Sequence, residues 1–227
     1  MISDKGWAKF NIWEHSSSIR ELYARRCRRE VDEMTAHRQA VRLLKPHMKK
    51  GHVVLDVGCA SGYLFHSLAG LHAPVEYYGI DASRALLDIG REIMPAYGLP
   101  KERLIETRIE DLDAEVDHVL CINVLSNIDN FHRPLERLLL AARHTVIIRE
   151  SISNSSKYTY VEDRFLDPGV HLKVYVNTYE RREITDFIES YGYRVTSHVD
   201  EYTGGEPQTV IGYPHNWTFL EAVRATT

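Results

Sequence analysis

The sequence predicts an α/β fold: a mostly parallel sheet flanked by helices, with its last strand antiparallel. Three observations carry this. Strand-like and helix-like segments alternate from residue 53 to residue 192. The stretch Val53-Val54-Leu55-Asp56-Val57-Gly58-Cys59-Ala60-Ser61-Gly62-Tyr63-Leu64 reads as a buried strand, a tight turn of small residues and the start of a helix. The last two β-like runs, 193–199 and 216–223, are joined by a polar loop containing Gly and Pro, as in a hairpin. A length of 227 residues suits one domain with a full core.

The elements follow in order. Residues 15–45 read as one or two amphipathic helices, with Ile19, Leu22, Tyr23, Val31, Met34, Val41 and Leu44 spaced for a buried face, and Pro46 and Gly51 closing the segment. A strand over 53–57 feeds a helix over 62–70. A strand over 75–80 ends at Asp81 and precedes a helix over 84–97. Short strands over 103–107 and 117–122 follow, then a helix over 133–142 and a strand over 144–149. Residues 151–178 are irregular and Ser- and Asn-rich, with an alternating run from His171 to Val176. Ile184, Phe187, Ile188 and Tyr191 mark one face of a last helix, which Gly192 ends.

Composition excludes several classes. A net charge of −4 without a long basic run argues against a nucleic-acid groove. The cluster Arg25-Arg26-Cys27-Arg28-Arg29 is flanked by acids and reads as a solvated helix face. Cys27, Cys59 and Cys121 show neither disulfide nor metal spacing, which fits a reducing cytoplasm. No signal peptide and no membrane-spanning apolar run stands out. The twelve histidines show no ligand spacing, and no metal is expected.

A strand, a glycine-containing turn and an acid about 20 residues on is how an α/β sheet holds a nucleoside. The turn here is Asp-x-Gly-x-Ala-x-Gly, from Asp56 to Gly62, not the Gly-x-Gly-x-x-Gly of dinucleotide binders. Its Asp56, Gly58, Ala60 and Gly62, with Asp81 at the next strand end, resemble the signature of the Rossmann-like (class I) S-adenosylmethionine-dependent methyltransferases. Ala60 departs from the glycine common there, which costs little unless the position needs a positive φ. The resemblance spans residues 50–225 in element order. It implies a Rossmann-like three-layer sandwich with a seven-stranded sheet, a helical lid over residues 1–48 and a substrate-side insert over 151–178.

The resemblance also implies a donor site. Gly58, Cys59 and Gly62 would face the methionine part, Asp81 the ribose, and Leu86, Ile109 and Glu110 the adenine, with Tyr63, Leu64 and Ala82 also among the cofactor-binding residues. Arg108 stands where relatives often carry aspartate, which leaves Glu110 or Asp111 as the acceptor for the adenine amine. Asn123 and Val124 would line the sulfur. Tyr23 and Arg26, one helical turn apart, are candidates for the donor carboxylate. For Asp81 a helix N-cap is the competing role; for Tyr23 and Arg26 it is core and surface.

Acceptor residues are sought beyond the carboxyl ends of the strands, in 123–132, 150–178 and 200–215. His171, His215 and Asn127 are the catalytic candidates, beside Tyr175, because histidine titrates near neutrality. Asn127 stands where many relatives carry a histidine. Asn123 is not followed by Pro-Pro-Tyr, and it is not the aspartate of magnesium-dependent relatives. The expectation is a metal-independent transfer to a small-molecule acceptor, through oxygen or nitrogen, with homodimer formation left open. A non-catalytic module binding S-adenosylmethionine or S-adenosylhomocysteine, and a nicotinamide-dependent oxidoreductase, are the competing readings.

Overall fold

Which helices cover which face of the sheet follows from the two-residue period of its strands. The computed structural model describes residues 6–225. Its parallel strands are β1 (Val53–Val57), β2 (Glu76–Asp81), β3 (Leu104–Glu106), β4 (Val116–Ile122) and β5 (Ala142–Ser153). The chain continues through β6 (Tyr160–Glu162), β7 (Lys173–Tyr175), β8 (Tyr179–Glu180) and β9 (Tyr193–Val199) to β10 (Gln208–Val210), β11 (Tyr213–His215) and β12 (Trp217–Arg224). Helices α1 (Ser17–Cys27) and α2 (Thr35–Leu44) come first. Then follow α3 (Phe65–Gly70), α4 (Arg84–Ile93), α5 (His132–Ala141) and α6 (Arg181–Ser190).

The main sheet has the order β3-β2-β1-β4-β5-β12-β9, and β12 runs antiparallel to both of its neighbours. The antiparallel last strand is therefore as expected. The strand count is not: β8 pairs with the end of β5 and makes the sheet eight-stranded. Two small hairpins, β6–β7 and β10–β11, lie outside it.

Leu55, Val119, Ile148 and Leu220 point to one face, against Leu135 and Leu138 of α5 and Ile184 and Ile188 of α6. Val54, Leu120, Ile147 and Phe219 point to the other, against Val41 and Leu44 of α2, Leu68 of α3 and Leu87 of α4. Burying each such side chain contributes roughly 1.5–3 kcal/mol, so the alternation itself selects this register.

Element ends differ from expectation for local reasons. α3 starts at Phe65 rather than 62, because Gly62 has φ +74° and turns the chain before the helix. α4 stops at Ile93, where Pro95 cannot supply a helical amide and a 3₁₀ turn ends on left-handed Gly98. β5 runs to Ser153 instead of 149. Its polar residues looked like a strand end, but Arg149, Glu150 and Ser151 are buried with partners of their own. Among the described residues no helix is long and apolar enough to cross a membrane.

Candidate active site at the carboxyl ends of the strands

The turn after β1 is held closed by its own backbone. Gly58 and Cys59 N–H both donate to the Ile80 carbonyl of β2, and Gly62 N–H donates to the Cys59 carbonyl. Gly58 is at φ +74°, and a Cβ there would meet Val124 Cγ2 at 2.3 Å. That glycine lets the turn lie against the end of β4. Ala60 also adopts a positive φ, 52°.

Asp81 sits beside this turn at the end of β2. Its Oδ2 accepts from Ala60 N–H at 2.8 Å and its Oδ1 from Ser83 N–H at 2.7 Å. The helix-capping role belongs to Ser83, whose hydroxyl accepts from Leu86 N–H at 3.3 Å. The Asp81 carboxylate is thus oriented, with lone pairs left for further donors. Burial raises its pKa to about 6 against the pull of the Ser83 and Ala60 amides, and the nearby Glu14 carboxylate adds to the rise. Asp56 lies deeper, accepting from Tyr77 Oη at 2.8 Å, and burial raises its pKa to about 7. Cys59, Ala60, Tyr63 and Leu64 are buried around the turn, and Ala82 is half-buried at the start of the next loop.

Helix α1 closes over this turn. Arg26 Nη1 donates to Tyr63 Oη at 3.1 Å, and its guanidinium stands 5.2 Å from the Tyr23 ring and 5.1 Å from the Tyr63 ring. Tyr23, Arg26 and Tyr63 are therefore brought together, with the charges of Asp56 and Asp81 close enough to act on Tyr23. Leu86 is buried on α4, and Ile109 is buried in a 3₁₀ turn after β3. Arg108 pairs with Glu110 at 3.1 Å.

The carboxyl ends of β4 and β5 carry a second group. Asn123, at φ 60°, receives Arg149 Nη1 on its Oδ1 at 2.6 Å. Arg149 Nε donates to Asp200 Oδ2 at 2.7 Å in a buried ion pair, and its guanidinium lies 4.4 Å from the Trp217 ring. Glu150 is fully buried and accepts from the amides of Val124, Leu125 and Ser126 at 2.7–3.0 Å, fixing the loop after β4. Burial outweighs those three amides and raises its pKa to about 7.

His215 is 2% exposed and its ring lies tilted against that of Trp217, 4.7 Å away. Its Nδ1 lies 3.2 Å from the Tyr213 carbonyl, which places the ring proton on Nδ1 and the lone pair on Nε2. Burial chiefly lowers its pKa, so the ring is neutral and can accept a proton. Asn127 has a structural task, donating its amide to the Tyr175 carbonyl at 2.8 Å. His171 is not gathered with the others. Its side chain is 79% exposed and pairs with Glu162 on the β6–β7 hairpin.

Sequence reasoning missed Arg149, Asp200, Glu150 and His37. His37 of α2 is buried against the Tyr63 ring at 4.5 Å, with Nδ1 unpartnered. Burial, then the charges of Arg26 and Arg149, lowers its pKa to about 3. A usable signal existed for one pair only: Arg149-Glu150 are consecutive charges closing the apolar run Val146-Ile147-Ile148. His37 looks like any polar residue on an amphipathic helix, and Asp200 like any loop acid.

Residues 55–145 match the family model of a methyltransferase domain. No curated protein matches the chain in sequence. Among solved structures, the magnesium protoporphyrin IX methyltransferase of Synechocystis PCC 6803 with bound S-adenosylhomocysteine has a TM-score of 0.63 at 17% identity, covering 98% of this chain and 100% of that one. An S-adenosylmethionine-dependent methyltransferase from Clostridium acetobutylicum ATCC 824 gives 0.61 at 13%, covering 91% and 98%. The 1,6-didemethyltoxoflavin-N1-methyltransferase of Burkholderia thailandensis gives 0.56 at 16%, covering 84% and 79%. These identities make the likeness to solved structures one of fold, and the family model adds a sequence match over residues 55–145. The chain therefore carries the sequence pattern of a methyltransferase domain over that stretch and, over most of its length, the fold of S-adenosylmethionine-dependent methyltransferases.

Proposed function

We propose that this chain transfers the methyl group of S-adenosylmethionine to an oxygen or nitrogen of a small molecule, without a catalytic metal. The observation that carries the reading is the oriented Asp81 carboxylate beside the glycine turn. The ribose hydroxyls donate to Asp81, the methionine part lies over Gly58, Cys59 and Gly62, and Arg26 with Tyr23 faces its carboxylate. Ile109 and Glu110 border the adenine with Leu86, and Asn123 and Val124 flank the sulfonium. Residues 6–48 and 151–178 form the lid; the rest of the lid expected over 1–48 lies outside the described residues. Asp167 supports this, because it accepts from both the backbone and the hydroxyl of Ser17 and so ties the insert to the start of α1.

A sulfonium is already a good leaving group, so the protein mainly aligns the acceptor atom and excludes water, worth roughly 7–11 kcal/mol. His215 Nε2 takes the acceptor proton. The hydrogen bond from Arg149 to Asn123 Oδ1 supports a metal-free reaction, since it occupies the side-chain oxygen that a metal at that strand end would need. Neighbours named for methylating magnesium protoporphyrin IX and 1,6-didemethyltoxoflavin favour a small acceptor.

Equilibrium binding tests the reading. S-adenosylhomocysteine should raise the melting temperature and NAD should not; stabilisation by NAD alone would overturn it. With an acceptor in hand, His215→Gln should lower kcat about 10²- to 10⁴-fold and leave S-adenosylhomocysteine affinity unchanged. An unchanged kcat would remove His215 from the proton transfer.

A further inference from the structure

The amino end of the sheet holds a second group of chemistry-bearing side chains, and methyl transfer uses none of them. His52 immediately precedes β1, Asp117 and His118 open β4, and His144 lies near the start of β5. These strands are parallel neighbours, so their amino ends share the edge opposite the site described above. One nitrogen each from His52 and His144 and one carboxylate oxygen of Asp117 lie within 4.8 Å of one another. We propose that His52, Asp117 and His144 form a binding site for a borderline divalent transition-metal ion such as Zn²⁺, clamping the three central strands at their amino edge.

The geometry needs little adjustment. Ligands at about 2.0–2.2 Å from a tetrahedral zinc stand about 3.4 Å apart. His144 Nε2 and Asp117 Oδ1 are already separated by 3.6 Å. The His52 and His144 rings are stacked at 5.2 Å, so a small rotation of the half-exposed His144 ring closes the set.

The surrounding groups orient the ligands as supporting hydrogen bonds do in metal sites. Asp117 Oδ2 accepts from Val53 N–H at 2.8 Å, which leaves Oδ1 facing His144. His52 Nδ1 lies 2.9 Å from Nε2 of His118, so the nitrogen His52 has to offer is Nε2. His118 is fully buried and has no partner on Nδ1. Its Nε2 contact with His52 is thus the polar purpose the structure gives this ring. Accepting the His52 Nδ1 proton would fix the tautomer that ligates through Nε2.

Chemistry narrows the ion. Two imidazoles and one carboxylate suit Zn²⁺, Ni²⁺ or Cu²⁺, whereas Ca²⁺ and Mg²⁺ require oxygen-rich sets. Three protein ligands leave a fourth position for water or an outside ligand.

Tag-free, metal-stripped full-length protein titrated with ZnCl₂ against a chromogenic chelator tests the site. One Zn²⁺ per chain is expected, with a raised melting temperature that chelation reverses. His144→Ala and Asp117→Asn should each weaken binding at least about tenfold, while His171→Ala leaves it unchanged. His144 is exposed enough for its variant to fold, which circular dichroism checks. No binding at micromolar Zn²⁺, or stoichiometric binding that survives His144→Ala, would overturn the proposal. S-adenosylhomocysteine affinity should be the same with and without Zn²⁺, separating this site from the donor site.

Discussion

The proposed donor half of the sheet and the proposed acceptor half are built from the same strands but over different chain distances. On the donor side, Asp81 grips Ala60 from 21 residues away and Ser83 from two. On the acceptor side, Arg149 meets Asp200 across 51 residues, and Gln39 on α2 holds both the Val199 carbonyl and the Glu201 amide across 160 and 162. A local motif can shape a nucleoside grip because one strand, one turn and one helix suffice. An acceptor pocket has no such unit, so its polar residues are held in place by partners that arrive from elsewhere in the chain.

If that contrast holds, the largest effect on folding comes from breaking the long-range side. Asp200→Ala leaves the Arg149 guanidinium buried without its carboxylate, and should cost about 3–5 kcal/mol in denaturant unfolding. Asp200→Asn, which keeps one oxygen for Arg149 Nε, should cost less. A loss below about 1 kcal/mol for Asp200→Ala would mean that Asn123 and Trp217 hold Arg149 by themselves.

The donor side responds in the opposite way. Asp81→Ala removes a carboxylate that burial already disfavours, so it should weaken S-adenosylhomocysteine binding about 100-fold, roughly 2.7 kcal/mol, without lowering the melting temperature of the free protein. The pH dependence carries the same sign. The folded pKa of Asp81, about 6, lies above its ordinary 3.8, so its contribution to stability is complete below about 3.8 and is lost as pH rises through 6. Asp56 and Glu150, both raised to about 7, act in the same direction. Donor affinity should instead fall as pH drops below 6, because a protonated Asp81 accepts the ribose hydroxyls poorly. Calorimetry from pH 4 to 8 should show a shallower fall of stability as pH rises towards 6 in Asp81→Ala than in the wild type, the remaining slope coming from Asp56 and Glu150. A slope undiminished in the variant would assign the titration to other groups.

Legibility followed the same division. The succession of strands and helices along the chain, the turn from Asp56 to Gly62 and the placement of Asp81 were readable, because each depends on residues near in sequence. The eighth strand was not, since β8 is two residues long and exists only by pairing with an extension of β5. That extension was hidden for an instructive reason. Arg149, Glu150 and Ser151 look like the polar end of a strand, yet they continue it because Asp200, the 124–126 amides and Thr178 satisfy them. His171 misled in the reverse sense, being a titratable residue in the expected segment but turned to solvent.

Ala60 gives the finest test of how far the motif alone determines the turn. Its φ of 52° is the conformation in which alanine costs about 1–2 kcal/mol and glycine almost nothing. Ala60→Gly relieves that strain but also frees the unfolded chain, a loss of about 0.4–1 kcal/mol. The net change should be a stabilisation of about 0–1.6 kcal/mol, with donor affinity unaltered because the amide to Asp81 remains. Thermal unfolding with and without S-adenosylhomocysteine measures both quantities. Destabilisation by more than about 1 kcal/mol would show that the buried Ala60 methyl packs usefully enough to outweigh its backbone strain, and the departure from glycine would then be a feature of this turn.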